Sequence, residues 1–205
     1  MRFGTIGAGA IGQAIAGHLV QAGQEVVLSN RRGPSSLQAV VSGLGPLASA
    51  GTVREAAAAD MTFLAVAWHD MRAALSGLPD WDGRVLVDTT NQFDYVDGTL
   101  QPVDTVKSFG IATGSEVVAS LAPGARVIKA FNTLYAAYIA PSPRHADGRQ
   151  VLFYAGDDPD AKTSFAATFG DISFAPVDAG SLREGGPLMQ APGGLLSALH
   201  VLKQD

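Results

Sequence analysis

Met1-Arg-Phe-Gly-Thr-Ile-Gly-Ala-Gly-Ala-Ile-Gly12 decides the fold of this 205-residue chain. Arg2 to Ile6 is a short apolar run of strand character, and Gly7-x-Gly9-x-x-Gly12 follows it directly and opens a segment with helical periodicity. Each glycine has its own steric reason. Gly7 permits a tight strand-to-helix turn, Gly9 leaves no Cβ to hold a diphosphate away from the backbone, and Gly12 lets the helix approach the strand closely. A strand, these glycines and a helix in that order form the fingerprint of a dinucleotide-binding turn. The backbone of Gly7, Ala8, Gly9, Ala10, Ile11 and Gly12 would cradle the pyrophosphate at the positive end of the helix.

Working outward, Ile11, Ile15 and Leu19 recur four apart among small residues, a narrow helical face suited to packing on a sheet. Gly23 ends that helix, and Glu25 to Ser29 is the second strand of a βαβ unit. The tip of this strand lies beside the adenine ribose in such a unit, and an NAD enzyme usually carries Asp or Glu there. This chain instead has Ser29-Asn30-Arg31-Arg32-Gly33-Pro34. No carboxylate repels a 2′-phosphate, and two guanidiniums and two hydroxyl or amide donors are available to bind one. The cofactor expected is NADP(H).

The remaining pattern alternates helix and strand. Ser35 to Val41 is expected to form a helix capped by Ser35 or Ser36, and Leu47 to Ala50 a third strand. Thr52 to Ala59 is expected as a helix with the capping-box spacing Thr52 and Glu55. Met61 to Val66 reads as a central strand buried on both faces, with Ala67-Trp68-His69-Asp70 leaving its carboxyl end and a helix over Met71 to Leu78. Arg84 to Asn91 supplies a fifth strand with its exit loop, and Gln92 to Lys107 reads as a long irregular loop. The helix Gly114 to Leu121 and the strand Arg126 to Ala130 follow. Beyond them come a Pro-rich loop from Pro141 to Gln150, a strand Val151 to Ala155, a helix Pro159 to Phe169 and a strand Ile172 to Val177. A last helical stretch spans Gly194 to Lys203.

This is an α/β chain, a doubly wound parallel sheet of the Rossmann kind with a small C-terminal α/β appendage. The division expected is residues 1–133 as the NADP-binding domain and residues 134–205 as a capping region over the nicotinamide. In such sheets the ligand lies over the carboxyl ends of the strands. That places three exit loops at the nicotinamide end, and Ala67, Trp68, Asn91 and Asn132 are the residues expected there.

Composition narrows the function classes. The net charge of −5 argues against a general affinity for nucleic acid or an anionic membrane surface. The absence of cysteine removes disulfides, thiolate catalysis and cysteine-ligated metal centres, and suits a reducing cytoplasm. No apolar run approaches a membrane span, and the first strand starts too early for a signal peptide, so a bacterial-type cytoplasmic protein is expected. Neither a His-x-x-x-His pair nor a carboxylate pairing suggests a metal.

Six segments carry a resemblance to a known family: Gly7-Ala-Gly-Ala-Ile-Gly12, Ser29 to Pro34, Ala65-Val-Ala-Trp68, Lys129-Ala-Phe-Asn132, Tyr154-Ala-Gly-Asp-Asp158 and Asp178-Ala-Gly-Ser-Leu182. Their order resembles NADP oxidoreductases of the deazaflavin-coenzyme-dependent type (coenzyme F-420), and is similar to the cytoplasmic NADPH domain of the six-transmembrane metalloreductases. The resemblance implies a Rossmann domain carrying NADPH, a small part that closes over it, and a deazaflavin or flavin facing the nicotinamide. Small reductases of this fold are often dimers, so a homodimer is expected, with no residue pointing to its interface.

Hydride transfer between two cofactors needs positioning and exclusion of water more than an acid or base. Trp68, His69 and Asn132 are the candidates for direct roles at the reacting end. Trp68 packing under a loop, His69 starting the next helix in solvent and Asn132 stabilising a turn are the structural alternatives. The function expected is an NADPH-dependent oxidoreductase acting on a second planar redox cofactor or a small-molecule acceptor. Reduction of a small carbonyl or imine, with His69 as proton donor, and non-catalytic sensing of the NADP redox ratio are the competing functions.

Overall fold

A computed structural model describes residues 1–97, 99–103 and 113–204. The chain runs through β1 (Phe3–Ile6), α1 (Ala10–Gln21), β2 (Val26–Ser29), a 3-10 turn (Pro34–Leu37), α2 (Gln38–Leu44), β3 (Ala48–Ala50), α3 (Val53–Ala57), β4 (Met61–Leu64) and α4 (Trp68–Leu75). It continues with β5 (Val85–Asp88), β6 (Phe93–Val96), β7 (Thr99–Pro102), α5 (Gly114–Leu121), β8 (Arg126–Ala130), α6 (Ala136–Ile139) and β9 (Arg144–His145). The last elements are β10 (Gly148–Gly156), α7 (Pro159–Asp171), β11 (Ala175–Asp178), α8 (Leu182–Met189) and β12 (Leu202–Lys203).

Six strands lie parallel in the order β3-β2-β1-β4-β5-β8, the doubly wound arrangement. β10 joins antiparallel to β8, and β11 lies parallel to β10, so the C-terminal segment extends the same sheet. Alternation along the strands sorts the apolar residues into two layers. Phe3, Phe63, Val87 and Ile128 face α1 and α7, where Phe131 meets Phe165, Phe169 and Phe174 edge to face. Ile6, Leu64, Leu86 and Val127 point to the other side, against Trp68, Trp81, Val118 and Leu182.

Close contacts fix the second layer. A Cβ on Gly4 would lie 2.1 Å from the Ala56 carbonyl oxygen, and Thr62 Oγ1 on the neighbouring strand donates to that same oxygen at 3.0 Å. The Thr52–Glu55 capping box forms as the spacing requires: Thr52 N donates to Glu55 Oε2 at 2.7 Å, and Glu55 N donates to Thr52 Oγ1 at 3.2 Å.

Several elements differ from the sequence expectation. Helix α4 starts at Trp68, so Trp68, His69 and Asp70 form its first turn and only Ala67 belongs to the exit. Neither Ser35 nor Ser36 caps the turn after β2; Gly33 holds that position at φ +84°. The segment after Gln92 is not irregular throughout, because Phe93–Val96 and Thr99–Pro102 pair as an antiparallel hairpin, while residues 104–107 lie outside the described residues. The Pro-rich loop likewise contains β9, which folds onto the start of a β10 longer than expected.

The final helical stretch from Gly194 to Lys203 is absent, and a helix forms earlier, at Leu182–Met189. Gly194 shows why: a Cβ there would lie 2.5 Å from Leu188 O, so the chain folds back tightly over the end of α8 and then pairs along β10. In α8, Gly185 would place a Cβ 2.7 Å from Ala155 Cβ, so the glycines that weaken helix propensity are those that let the helix lie close on β10.

Candidate cofactor site

The glycine turn between β1 and α1 is built by sterics. Gly7 has φ +104°, and a Cβ on it would fall 2.1 Å from the Ala65 carbonyl oxygen, where the turn crosses the end of β4. Gly12 would bring a Cβ within 2.3 Å of Gly7 O, so this residue sets the helix-to-turn distance. Gly9 differs from both, since a Cβ there would meet no atom within 4 Å. It caps α1 without a side-chain bond, and Gln13 Nε2 holds the turn by donating to Ala8 O at 2.8 Å. No acid stands in the first helical turn, so the positive end of α1, formed by Ala10, Ile11 and Gly12, opens beside a space that only glycine leaves clear.

The tip of β2 presents two arginines. Asn30 Oδ1 accepts from Arg32 N at 2.9 Å, its Nδ2 donates to Ser36 Oγ at 3.0 Å, and Ser36 Oγ also donates to Gly33 O at 2.8 Å. This turn projects Arg31 and Arg32 outward, and both are exposed. Ser29 does not join them. It is fully buried, and its hydroxyl donates to Thr5 O at 2.7 Å, so it ties β2 to β1 and offers nothing to a phosphate.

Between these two turns and α4 lies a cleft of about 640 Å³. Gly7, Ala8 and Gly9 form one end, Asn30, Arg31 and Arg32 the other, and Val53, Val66, Ala67, Ala74 and Leu78 line the apolar wall. Asp70 stands at its rim, with Oδ1 3.5 Å from Arg31 Nη1.

The other expected residues divide. Trp68 is buried at 6% exposure, in the core layer that also holds Met71, Leu75 and Trp81. His69 is exposed on the first turn of α4, with Nε2 3.7 Å from Asp70 Oδ2, on the arginine side of the molecule. This is the solvent-facing helix start weighed against a proton-donor role.

Asn91 and Asn132 meet at the carboxyl ends of β5 and β8. Asn91 Nδ2 donates to Asn132 O at 2.8 Å, and Asn132 Nδ2 donates to Asn91 Oδ1 at 2.9 Å and to Met189 O at 2.7 Å. Ala191 N donates to Asn91 Oδ1 at 3.2 Å, so the segment after α8 is fastened over these strand ends. Asn132 Oδ1 remains buried with no hydrogen-bond partner among the described residues. Phe131, just before it, holds φ +64°, a left-handed conformation fixed by the aromatic cluster around its ring.

Beneath the two asparagines lies a buried charge network that sequence reasoning did not find. Lys129 Nζ donates to Asp88 Oδ2 at 3.1 Å and to the Thr90 carbonyl oxygen, and the pair is 2% and 0% exposed. Asp88 also accepts from Thr90 N at 2.8 Å, Thr90 Oγ1 at 2.7 Å and Ser115 Oγ at 2.7 Å, so every group around the carboxylate is a donor. The available signal was a lysine and an aspartate each inside a strand otherwise apolar and buried. Among the described residues no cluster of His, Asp or Glu could hold a metal, and no helix is long and apolar enough to cross a membrane.

Comparison with known proteins agrees with this geometry. A solved hypothetical protein from Sinorhizobium meliloti is 37% identical, with a TM-score of 0.90 over 100% of this chain and 96% of that one. A candidate F420-dependent NADP-reductase from Arthrobacter is 26% identical, with a TM-score of 0.73 over 89% and 86% of the two chains. The metalloreductase STEAP3 of Rattus norvegicus is 29% identical over 184 residues, 88% of this chain, which spans only about a third (34%) of that protein's length. Residues 2–92, which hold the glycine turn, the arginine turn and the cleft between them, match the family described as NADP oxidoreductase coenzyme F420-dependent.

Proposed function

We propose that this chain binds NADPH in the cleft between the glycine and arginine turns and acts as an oxidoreductase toward a second planar redox cofactor, a deazaflavin first and a flavin next, or a small acceptor. The observation that carries the proposal is the pairing, in one cleft, of an unobstructed Gly9 at a helix N-terminus with an acid-free strand tip bearing Arg31 and Arg32. Backbone N–H groups of Ala8 to Gly12 would hold the pyrophosphate, and Arg32, with Arg31, the 2′-phosphate. The apolar wall of Val53, Val66 and Ala74 suits an adenine ring.

At the other end, the buried and unpartnered Oδ1 of Asn132 is an acceptor in search of a donor, and a carboxamide N–H₂ supplies one. The interlocked asparagines, fastened to Met189 O and Ala191 N, would position the nicotinamide and keep water from it. When bound, NADPH supplies the hydride. The protein's share is binding, orientation and exclusion of solvent.

The test is single-turnover loss of the reduced-nicotinamide absorbance with a panel of deazaflavin, FMN, FAD, ferric chelate, and small imines and carbonyls. Turnover fastest with the deazaflavin or a flavin supports the proposal. Turnover confined to imines or carbonyls would transfer the assignment to that reaction, and tight NADPH binding without any turnover would favour a sensor.

A further inference from the structure

Asp70 is out of keeping with its surroundings. It places a carboxylate on the rim of a cleft otherwise furnished for an anion, with two arginines and a helix N-terminus. Its position in the first turn of α4 suits a negative charge, and that accounts for its stability there. It does not account for its partner. Asp70 Oδ1 lies 3.5 Å from Arg31 Nη1, so one of the two guanidiniums is already engaged by the wall opposite. Arg32 forms no ion pair among the described residues.

The side chains of Arg31 and Asp70 are 85% and 40% exposed, so their attraction is screened by water and weak. A 2′-phosphate brings about two negative charges and three acceptor oxygens, and is the stronger partner for a guanidinium. A cofactor with a bare ribose hydroxyl has no such claim on Arg31. Resting on the NADPH reading above, we propose that Asp70 is a built-in competitor for Arg31, which tempers affinity only for ligands bearing a 2′-phosphate and so eases cofactor exchange. Arg31 leaves Asp70 when the phosphate arrives and returns to it when the phosphate departs. His69, whose Nε2 lies 3.7 Å from the other carboxylate oxygen, keeps Asp70 company on the solvent side in both states.

Calorimetric titration with 2′,5′-ADP and with 5′-ADP isolates the phosphate from the nicotinamide end. Asp70→Asn is expected to tighten 2′,5′-ADP by about two- to fivefold and leave 5′-ADP unchanged, the size of an exposed ion pair. The gain shrinks as salt is raised, and it disappears in an Arg31→Ala background. Unchanged or weaker 2′,5′-ADP binding by Asp70→Asn, an equal change for 5′-ADP, or a gain that survives in Arg31→Ala overturns the competitor. Failure of the wild-type protein to prefer 2′,5′-ADP over 5′-ADP would instead overturn the arginine turn as a phosphate site, and the competitor with it.

Discussion

Asn91 and Asn132, which stand 41 residues apart in the chain, interlock at the carboxyl ends of β5 and β8, each donating its side-chain amide to the other residue. Asn132 also donates to Met189 O, and Asn91 Oδ1 accepts from Ala191 N, so two strand ends and the segment after α8 share one hydrogen-bond set. Substituting Asn132→Ala leaves Met189 O without its side-chain donor and takes from Asn91 Oδ1 one of its two donors, Ala191 N remaining. Stability is expected to fall by about 1–3 kcal/mol in urea unfolding, with faster hydrogen exchange at the Ala191 amide. Unaltered exchange there would show that the asparagines do not fasten the C-terminal segment.

Lys129→Met strips the buried Asp88 carboxylate of its counter-ion while nearly conserving volume. A loss of about 3–5 kcal/mol is expected, because an uncompensated charge stays in the sheet. Adding Asp88→Asn to that variant should restore part of the loss, and no recovery would mean that packing, not charge, dominates the site.

Gly9 and Gly12 are predicted to separate binding from folding. In Gly9→Ala the new Cβ meets nothing within 4 Å, so the loss of stability should stay below about 1 kcal/mol while NADPH binding weakens sharply. In Gly12→Ala the Cβ stands 2.3 Å from Gly7 O, and both stability, by about 1–3 kcal/mol, and binding should suffer. Normal NADPH binding by a stably folded Gly9→Ala protein would remove the diphosphate from this turn.

Glu55 gives a pH signature at the start of α3. Its carboxylate accepts from the Thr52 backbone N–H and hydroxyl, which together hold it below the ordinary glutamate value of 4.5. A depressed folded-state pKa means that this stabilisation is present above 4.5 and is lost as pH falls through the folded-state value. The acid limb of the urea midpoint against pH should therefore be shallower in Glu55→Gln. Superimposable limbs would show that the capping box carries no proton-linked stability.

The glycine turn was legible because its demand is negative: at Gly7 and Gly12 a single Cβ collides with backbone, so the residue type records the geometry. Strand β4 was legible because burial on both faces leaves an unbroken apolar run, and the Thr52 box because its signal is local. Other features depend on distant partners. Ser29 reads as a phosphate donor until its hydroxyl is seen to bond Thr5 O on the neighbouring strand. Trp68 suits a pocket wall or a core equally well until the start of α4 turns it inward. Helix α8 was hidden by Gly185 and Gly186, although Ser181 and Glu184 stand at capping distance, with Glu184 N donating to Ser181 Oγ at 3.1 Å. Lys129 and Asp88 pair across two strands, and no local pattern announces such a pair.

The most direct test of the NADPH site is the dissociation constant for NADPH and for NADH, measured by calorimetry on the wild-type protein and on Arg31→Ala/Arg32→Ala. Charge-assisted bonds to a 2′-phosphate predict a preference for NADPH of about tenfold or more, which the double variant loses through weaker NADPH binding alone. Equal affinities in the wild-type protein, or a preference that survives removal of both arginines, would contradict the site.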